Sequence, residues 1–137
     1  MLKVATLALS LTVTGEGERK LILVDMGGPI SIPYGVPYSA AGCVPLGGKY
    51  EITKVWSFIG SDRGDMIEAD IQLSSRKLDY FYQRSEHREV PGQYDAWKSE
   101  VVSWVGDELC VQVAANVTNG SDARVHYQVR LEARPVK

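Results

Sequence analysis

Residues 109–117 read LCVQVAANV and residues 123–131 read ARVHYQVRL. Leu109, Val111, Val113, Ala115 and Val117 alternate with Cys110, Gln112, Ala114 and Asn116. Beyond Asn119-Gly120, Val125, Tyr127, Val129 and Leu131 alternate with Arg124, His126, Gln128 and Arg130. A period of two belongs to strands with one buried and one wet face, because successive side chains point to opposite sides of a sheet. Asn-Gly accepts positive φ at little cost, so the two runs read as an antiparallel hairpin. Val129 and Leu131 are assigned to the core and Arg130 to solvent.

The same signal recurs along the chain. Residues 4–14 carry Leu7, Leu9, Leu11 and Val13 on one parity, and GEGER turns them into the apolar run 20–26. Residues 50–59 form a third strand, with Ile52, Trp56 and Phe58 on a shared face. Residues 66–73 place Ile67, Ala69, Ile71 and Leu73 inward and Glu68, Asp70 and Gln72 outward. Residues 78–84 and 101–105 are shorter strands, separated by the polar stretch SEHREVPGQYDAWKSE, read as a loop. No segment keeps a helical period. The opening MLKVATLALSLTVTG imitates a secretory leader, yet its alternation is that of a strand. Eight strands in 137 residues predict a single all-β domain over 1–137, a two-sheet antiparallel sandwich. The long crossing between the second and third strands favours jelly-roll (Greek-key) wiring.

Charge narrows the partners. Fifteen Lys and Arg against 17 Asp and Glu give a net charge of −2, so no basic field awaits nucleic acid or an anionic membrane surface, and no run is long enough to span a bilayer. Cys43 and Cys110 stand far apart in sequence, which predicts two buried thiols in a reducing compartment. His87, within SEHRE, and His126 supply no ligand set with zinc spacing, so no metal is expected. No nucleophile motif, phosphate loop or dinucleotide fingerprint occurs. Neither a catalytic set nor a cofactor is expected, and the chain reads as a non-enzyme.

Three short patterns test that reading. IEADIQL resembles the active-site strand of the jelly-roll glycosidases related to laminarinase, with Glu68 and Asp70 at the nucleophile and helper positions. The general-acid position holds Gln72 or Leu73, and neither donates the proton that retaining hydrolysis needs. Arg63-Gly64-Asp65 spells the integrin tripeptide but is also ordinary turn chemistry. Asn116 and Asn119 open two glycosylation sequons, which matter only in a secretory pathway.

Binding is what remains. Residues 27–48, GGPISIPYGVPYSAAGCVPLGG, contain six glycines, four prolines and no charge. Prolines 29, 33 and 37 hold this strap extended and deny it a central ladder. Ile32, Tyr34, Val36 and Tyr38 share a parity and form a candidate partner-binding edge, facing either the chain's own sandwich or another subunit. Tyr80, Phe81 and Tyr82 in succession guarantee an outward ring. Tyr80, Tyr82, Tyr94 and Trp97 are therefore candidate ligand-binding aromatics.

A jelly roll with no catalytic set and an apolar strap resembles the small capsid decoration, or cement, proteins of tailed bacteriophages. The resemblance implies a virion protein assembled in the host cytoplasm, a dimer or trimer of itself clamped on a major capsid protein. Carbohydrate-binding modules are also similar, with WVGDELCVQV like their late strands. That likeness implies a lectin-like attachment domain.

Overall fold

The computed structural model describes residues 4–15, 17–61, 67–75, 79–88, 94–117 and 122–136. Nine strands run through them: β1 (Val4–Thr6), β2 (Ser10–Thr14), β3 (Lys20–Asp25), β4 (Ile30–Ile32), β5 (Tyr38–Ser61), β6 (Ile67–Ser74), β7 (Tyr80–Arg88), β8 (Tyr94–Val117) and β9 (Ala123–Pro135). Their hydrogen-bonded order is β2-β3-β9-β5-β8-β6-β7, with β1 on β5 and β4 on β9. Only β2–β3 and β6–β7 are neighbours in both sequence and space, so the wiring crosses between layers as in a jelly roll.

The two layers share one long pair. β5 and β8 run antiparallel along their length, with a register break between Pro45 and Tyr50. On one side of the break, residues 50–61 of β5 are flanked by β9, which pairs in turn with β3. On the other side, residues 110–117 of β8 are flanked by β6 and then β7. The first group is layer one and the second is layer two. Gly106 marks the turn between them, where an added Cβ would lie 2.5 Å from the Trp104 ring. β1 joins layer two by pairing parallel with β5, whereas β2 joins layer one, so residues 4–14 are two strands split between layers. Gly42 is required at that crossing, because a side chain there would strike the Leu7 carbonyl.

The core lies between the layers. Ile22, Val24, Val55, Ile59, Val125, Val129 and Leu131 come from layer one, and Ala69, Ile71, Leu73, Leu109, Val111, Val113 and Val117 from layer two. The inward faces of residues 69–73, 109–117 and 123–133 thus follow the alternation, the Ile67 side chain lying outside the described residues. Pairing corrects one expectation: among the described residues β8 and β9 form no hairpin ladder. β9 pairs with β3, β4 and β5, and β8 with β5 and β6. Both runs have one apolar face, and they bury those faces against each other across the sandwich instead of side by side. The Tyr127 hydroxyl spans the gap and donates to the Ala114 carbonyl at 2.7 Å.

Three further expectations change. The polar stretch expected as a loop is largely strand, since β7 runs to Arg88 and β8 starts at Tyr94. The strap does enter a central ladder: residues 38–45 lie between β1 and β8. Its prolines explain where that ladder starts, because Pro33 and Pro37 precede it. Cys43 and Cys110 are direct partners on β5 and β8 and are joined as a disulfide, with Cα atoms 4.0 Å apart. Cys43 is exposed. The expected pair of buried free thiols is therefore replaced by a cross-link, and with it the argument for a reducing compartment is lost. The loop it closes, a separation of 67 residues, constrains the unfolded chain by about 4 kcal/mol on chain-entropy grounds.

Candidate binding face

The site begins with a one-residue irregularity. In β5, Ile52 and Val55 both point into the core although they are three residues apart, and the register slips between Ile52 and Lys54. This is a β-bulge, with one extra residue on β5 against β9. It reverses the parity of everything after it. Val55, Ser57 and Ile59 point inward, fully buried, while Lys54, Trp56 and Phe58 point outward. The shared face expected for Ile52, Trp56 and Phe58 is corrected accordingly.

Cross-strand neighbours complete the outer face of layer one. Phe58 is opposite Trp97 of β8 and Gln128 of β9, and Trp56 is opposite Ser99 and Arg130. The Phe58 and Trp97 rings meet in a tilted contact, centroids 5.2 Å apart, and His126 meets Phe58 edge-on at 5.8 Å. The Arg130 guanidinium lies 4.5 Å from the Trp97 ring centroid, and the Lys54 ammonium 4.9 Å from that of Trp56. Cations over indole faces are held by the ring quadrupole, an attraction of about 0.5–1 kcal/mol at exposed sites. The result is a platform of three rings and two cations. Beside it a shallow depression of about 300 Å³ is lined by Thr12, Leu23, Asp25, His126, Gln128 and Arg130.

Beneath the platform a buried polar network ties the layers together. Ser57 Oγ and the Tyr82 hydroxyl share a hydrogen bond of 2.5 Å. Arg84 Nη1 donates to the Ser57 carbonyl at 2.8 Å, and both terminal nitrogens of Arg84 reach the Ala96 carbonyl at 3.4 Å. Glu86 accepts from Arg84 at 2.9 Å and from Lys98 at 2.7 Å. Arg84 is almost fully buried, and such a charge is tolerable only when its donors are this well occupied. The Tyr127 phenol, buried nearby in the core, has its pKa pushed well above the ordinary tyrosine range, first by burial and then by the charge of Asp70 and by Tyr38.

The sequence-predicted residues fall into different settings. Ile32 is fully buried in the chain's own core, and Tyr38 is partly buried against it. Tyr34 and Val36 are exposed at 52% and 53%, at an end of the sandwich where Asp122 accepts from the Tyr34 amide at 2.9 Å. The strap is thus divided, half lining its own sandwich and half facing out. Tyr82 is buried in the polar network, which removes it from any ligand surface. Tyr80 is exposed, Trp97 belongs to the platform, and Tyr94 starts β8 with its side chain outside the described residues. Glu68 and Asp70 sit on the outer face of layer two, where Glu68 pairs with His87 at 3.3 Å and Asp70 accepts from the Ser85 hydroxyl at 2.5 Å. Asn116 is on β8, while Asn119 and Arg63-Gly64-Asp65 lie outside the described residues. Sequence reasoning missed Trp56 and Phe58 as surface groups, and it placed Arg130 in solvent without joining it to them. The only signal was the spacing of Ile52 and Val55, and it was outweighed by the apparent alternation of Ile52, Trp56 and Phe58.

No protein-family model matches this sequence, and no curated protein matches it. Among solved structures the chain is similar to part of dimeric latent PorU from Porphyromonas gingivalis, at 12% identity and a TM-score of 0.48, covering 97% of this chain and 14% of that one. The CBM36-1 domain of a multidomain xylanase from the hindgut metagenome of Trinervitermes trinervoides is similar at 12% identity and a TM-score of 0.38, with 89% and 90% covered. The structure of infectious bursal disease virus, Gx strain, is similar at 10% identity and a TM-score of 0.33, with 93% and 32% covered. At such identities and scores, what the chain does is read from its own residues.

Proposed function

We propose that this chain is a non-enzymatic assembly domain that docks through the outer face of layer one on an acidic protein surface and also associates with itself. The observation that carries the reading is the platform of Trp56, Phe58 and Trp97 with Lys54 and Arg130 laid over its indoles. Tryptophan and arginine together are the composition of protein-interface hot spots. Among the described residues no carboxylate pairs with Lys54 or Arg130, so the face offers two cations to an acidic partner. Sugar stacking needs an open ring face, and here one face of each platform tryptophan carries a cation.

The finer form of this reading is a decoration protein of a virus particle, bound to the surface of a major capsid protein. The cross-link between Cys43 and Cys110 suits an oxidising setting, and virion surfaces are among the places where disulfides persist. Capsid, portal or protease genes beside the coding sequence would support the virion assignment, and a neighbourhood of polysaccharide-degrading enzymes would count against it.

A second reading, a lectin-like attachment domain, rests on the exposure of Tyr80 and Trp97. A glycan array separates the two. The assembly reading expects no glycan bound at micromolar strength. A micromolar glycan ligand lost on Trp97→Ala would overturn it in favour of carbohydrate binding.

A further inference from the structure

We infer that the open edge of β8 pairs with the same edge of a second copy of this chain, antiparallel and centred on Ser99, so that the two first layers become one continuous sheet. This rests on the assembly reading only for the statement that the chain associates with itself.

Between residues 96 and 105, β8 has β5 on one side and no described strand on the other. The edge is wet from Trp97 to Val101, where Trp97 is 41% exposed and Val101 80%, up to Trp104, which is buried against Phe81 of β7. Arg84 Nη1 reaches both the Ser57 carbonyl, at 2.8 Å, and the Ala96 carbonyl, at 3.4 Å, which places both carbonyls between β5 and β8, so Ala96 faces β5. By the alternation of antiparallel ladders, the backbone groups of Trp97, Ser99 and Val101 then point to the open side. An unpaired row of this kind is a template for another strand.

Charge selects the occupant and the register. Two copies paired about Ser99 bring Lys98 of each opposite Glu100 of the other, and Trp97 of each opposite Val101 of the other. Unlike charges directly opposite are favourable, and so is an aromatic ring against a β-branched side chain. Moving the centre one residue toward the C-terminus sets Glu100 against Glu100. Moving it one residue the other way sets Lys98 against Lys98. Pairing about Ser99 is therefore the register in which the edge complements itself. Within one chain Lys98 and Arg84 share the single carboxylate of Glu86, which leaves Lys98 able to take a second carboxylate. Glu100 is exposed, and among the described residues no cation pairs with it. Charged residues on an edge normally discourage pairing; here they discourage every neighbouring register and permit one.

The test is analytical ultracentrifugation of the full chain over a concentration series. The wild type is expected to dimerise reversibly. Glu100→Lys sets like charges opposite each other twice and is expected to raise the dissociation constant about tenfold or more. Lys98→Glu does the same from the other side. An equimolar mixture of the Lys98→Glu and Glu100→Lys chains restores both unlike pairs, so heterodimers are expected where each chain alone is a monomer. Val101→Lys, at the most exposed apolar position of the edge, is a second route to the same loss without touching the Lys98–Glu86 contact. A wild type that stays monomeric to millimolar concentration overturns the inference. So does a dimer indifferent to both Glu100→Lys and Val101→Lys. A dimer broken instead by Tyr34→Ser with Val36→Ser would assign self-association to the strap, overturning the edge pairing while leaving the assembly reading standing.

Discussion

β9 and the second half of β5 lie side by side in layer one, yet they present their inward faces by different rules. β9 holds a strict alternation from Ala123 to Ala133, with every odd residue buried. β5 holds it only from Val55 onward, after the slip between Ile52 and Lys54. An unbroken strand spends all its large apolar residues on the core and leaves a polar outer face, here Arg124, His126, Gln128 and Arg130. A bulged strand releases rings to the outside, here Trp56 and Phe58. The bulge is thus what converts a core-forming segment into half of a binding platform, and β9 supplies the cation that completes it.

Deletions break this comparison most severely. Removing Gln128 from β9 would swing one end of its inward set to solvent, and loss of cooperative unfolding is expected, read by circular dichroism during a denaturant titration. Removing Thr53 takes out the residue that is extra against β9 while Val55, Ser57 and Ile59 still face inward, and it leaves Val102 and Ser103 of β8 as a two-residue bulge against β5. That variant is expected to fold, losing the single Thr53 hydroxyl hydrogen bond shared between the Glu132 carboxylate and carbonyl, worth about 1 kcal/mol. If both deletions unfold the protein alike, the bulge is not a local insertion.

Single substitutions sharpen the contrast within β9. Leu131→Ala is expected to cost about 2–5 kcal/mol and its exposed neighbour Arg130→Ala about 1 or less, the attraction to the Trp97 ring, measured as shifts of the chemical-denaturation midpoint. Equal costs would mean that the register of β9 is wrong. A smaller effect concerns the Tyr127 phenol. Its pKa is raised in the folded state above the unfolded value of 10.0, so the stability it contributes is fully present below pH 10 and falls as the pH rises beyond it. Tyr127→Phe is expected to lose about 1 kcal/mol at neutral pH through the missing bond to Ala114 and to flatten the alkaline decline.

Much of the interior was legible because it obeys a local rule. The parity of residues 69–73, of β9 and of residues 109–117 follows from side chains alternating across a pleated strand, and each inward set is buried as that parity requires. What was not legible depends on contacts distant in sequence. The apolar faces of β8 and β9 fit a hairpin and a face-to-face packing equally well, and only the presence of β5 beside both decides between them. Cys43 and Cys110 meet because the strap enters the ladder opposite β8, which its prolines had argued against. The platform was hidden by Ile52, whose spacing from Trp56 and Phe58 mimics one face when the bulge is not known. Arg84 gave no sign of burial, since the groups that satisfy it come from β5 and β8.

The central claim is that the bulge sends Phe58 out and Ile59 in, and one paired measurement addresses it. Phe58→Ser and Ile59→Ser are adjacent and introduce the same polar group. Their unfolding free energies should differ by several kcal/mol, about 3 or more, with Ile59→Ser the destabilised member because it opens a cavity and buries a hydroxyl. Phe58→Ser should keep most of the stability while losing the ring contact with Trp97, seen as a change in tryptophan fluorescence. The reverse order, with Phe58→Ser unfolding the protein and Ile59→Ser tolerated, would contradict the account.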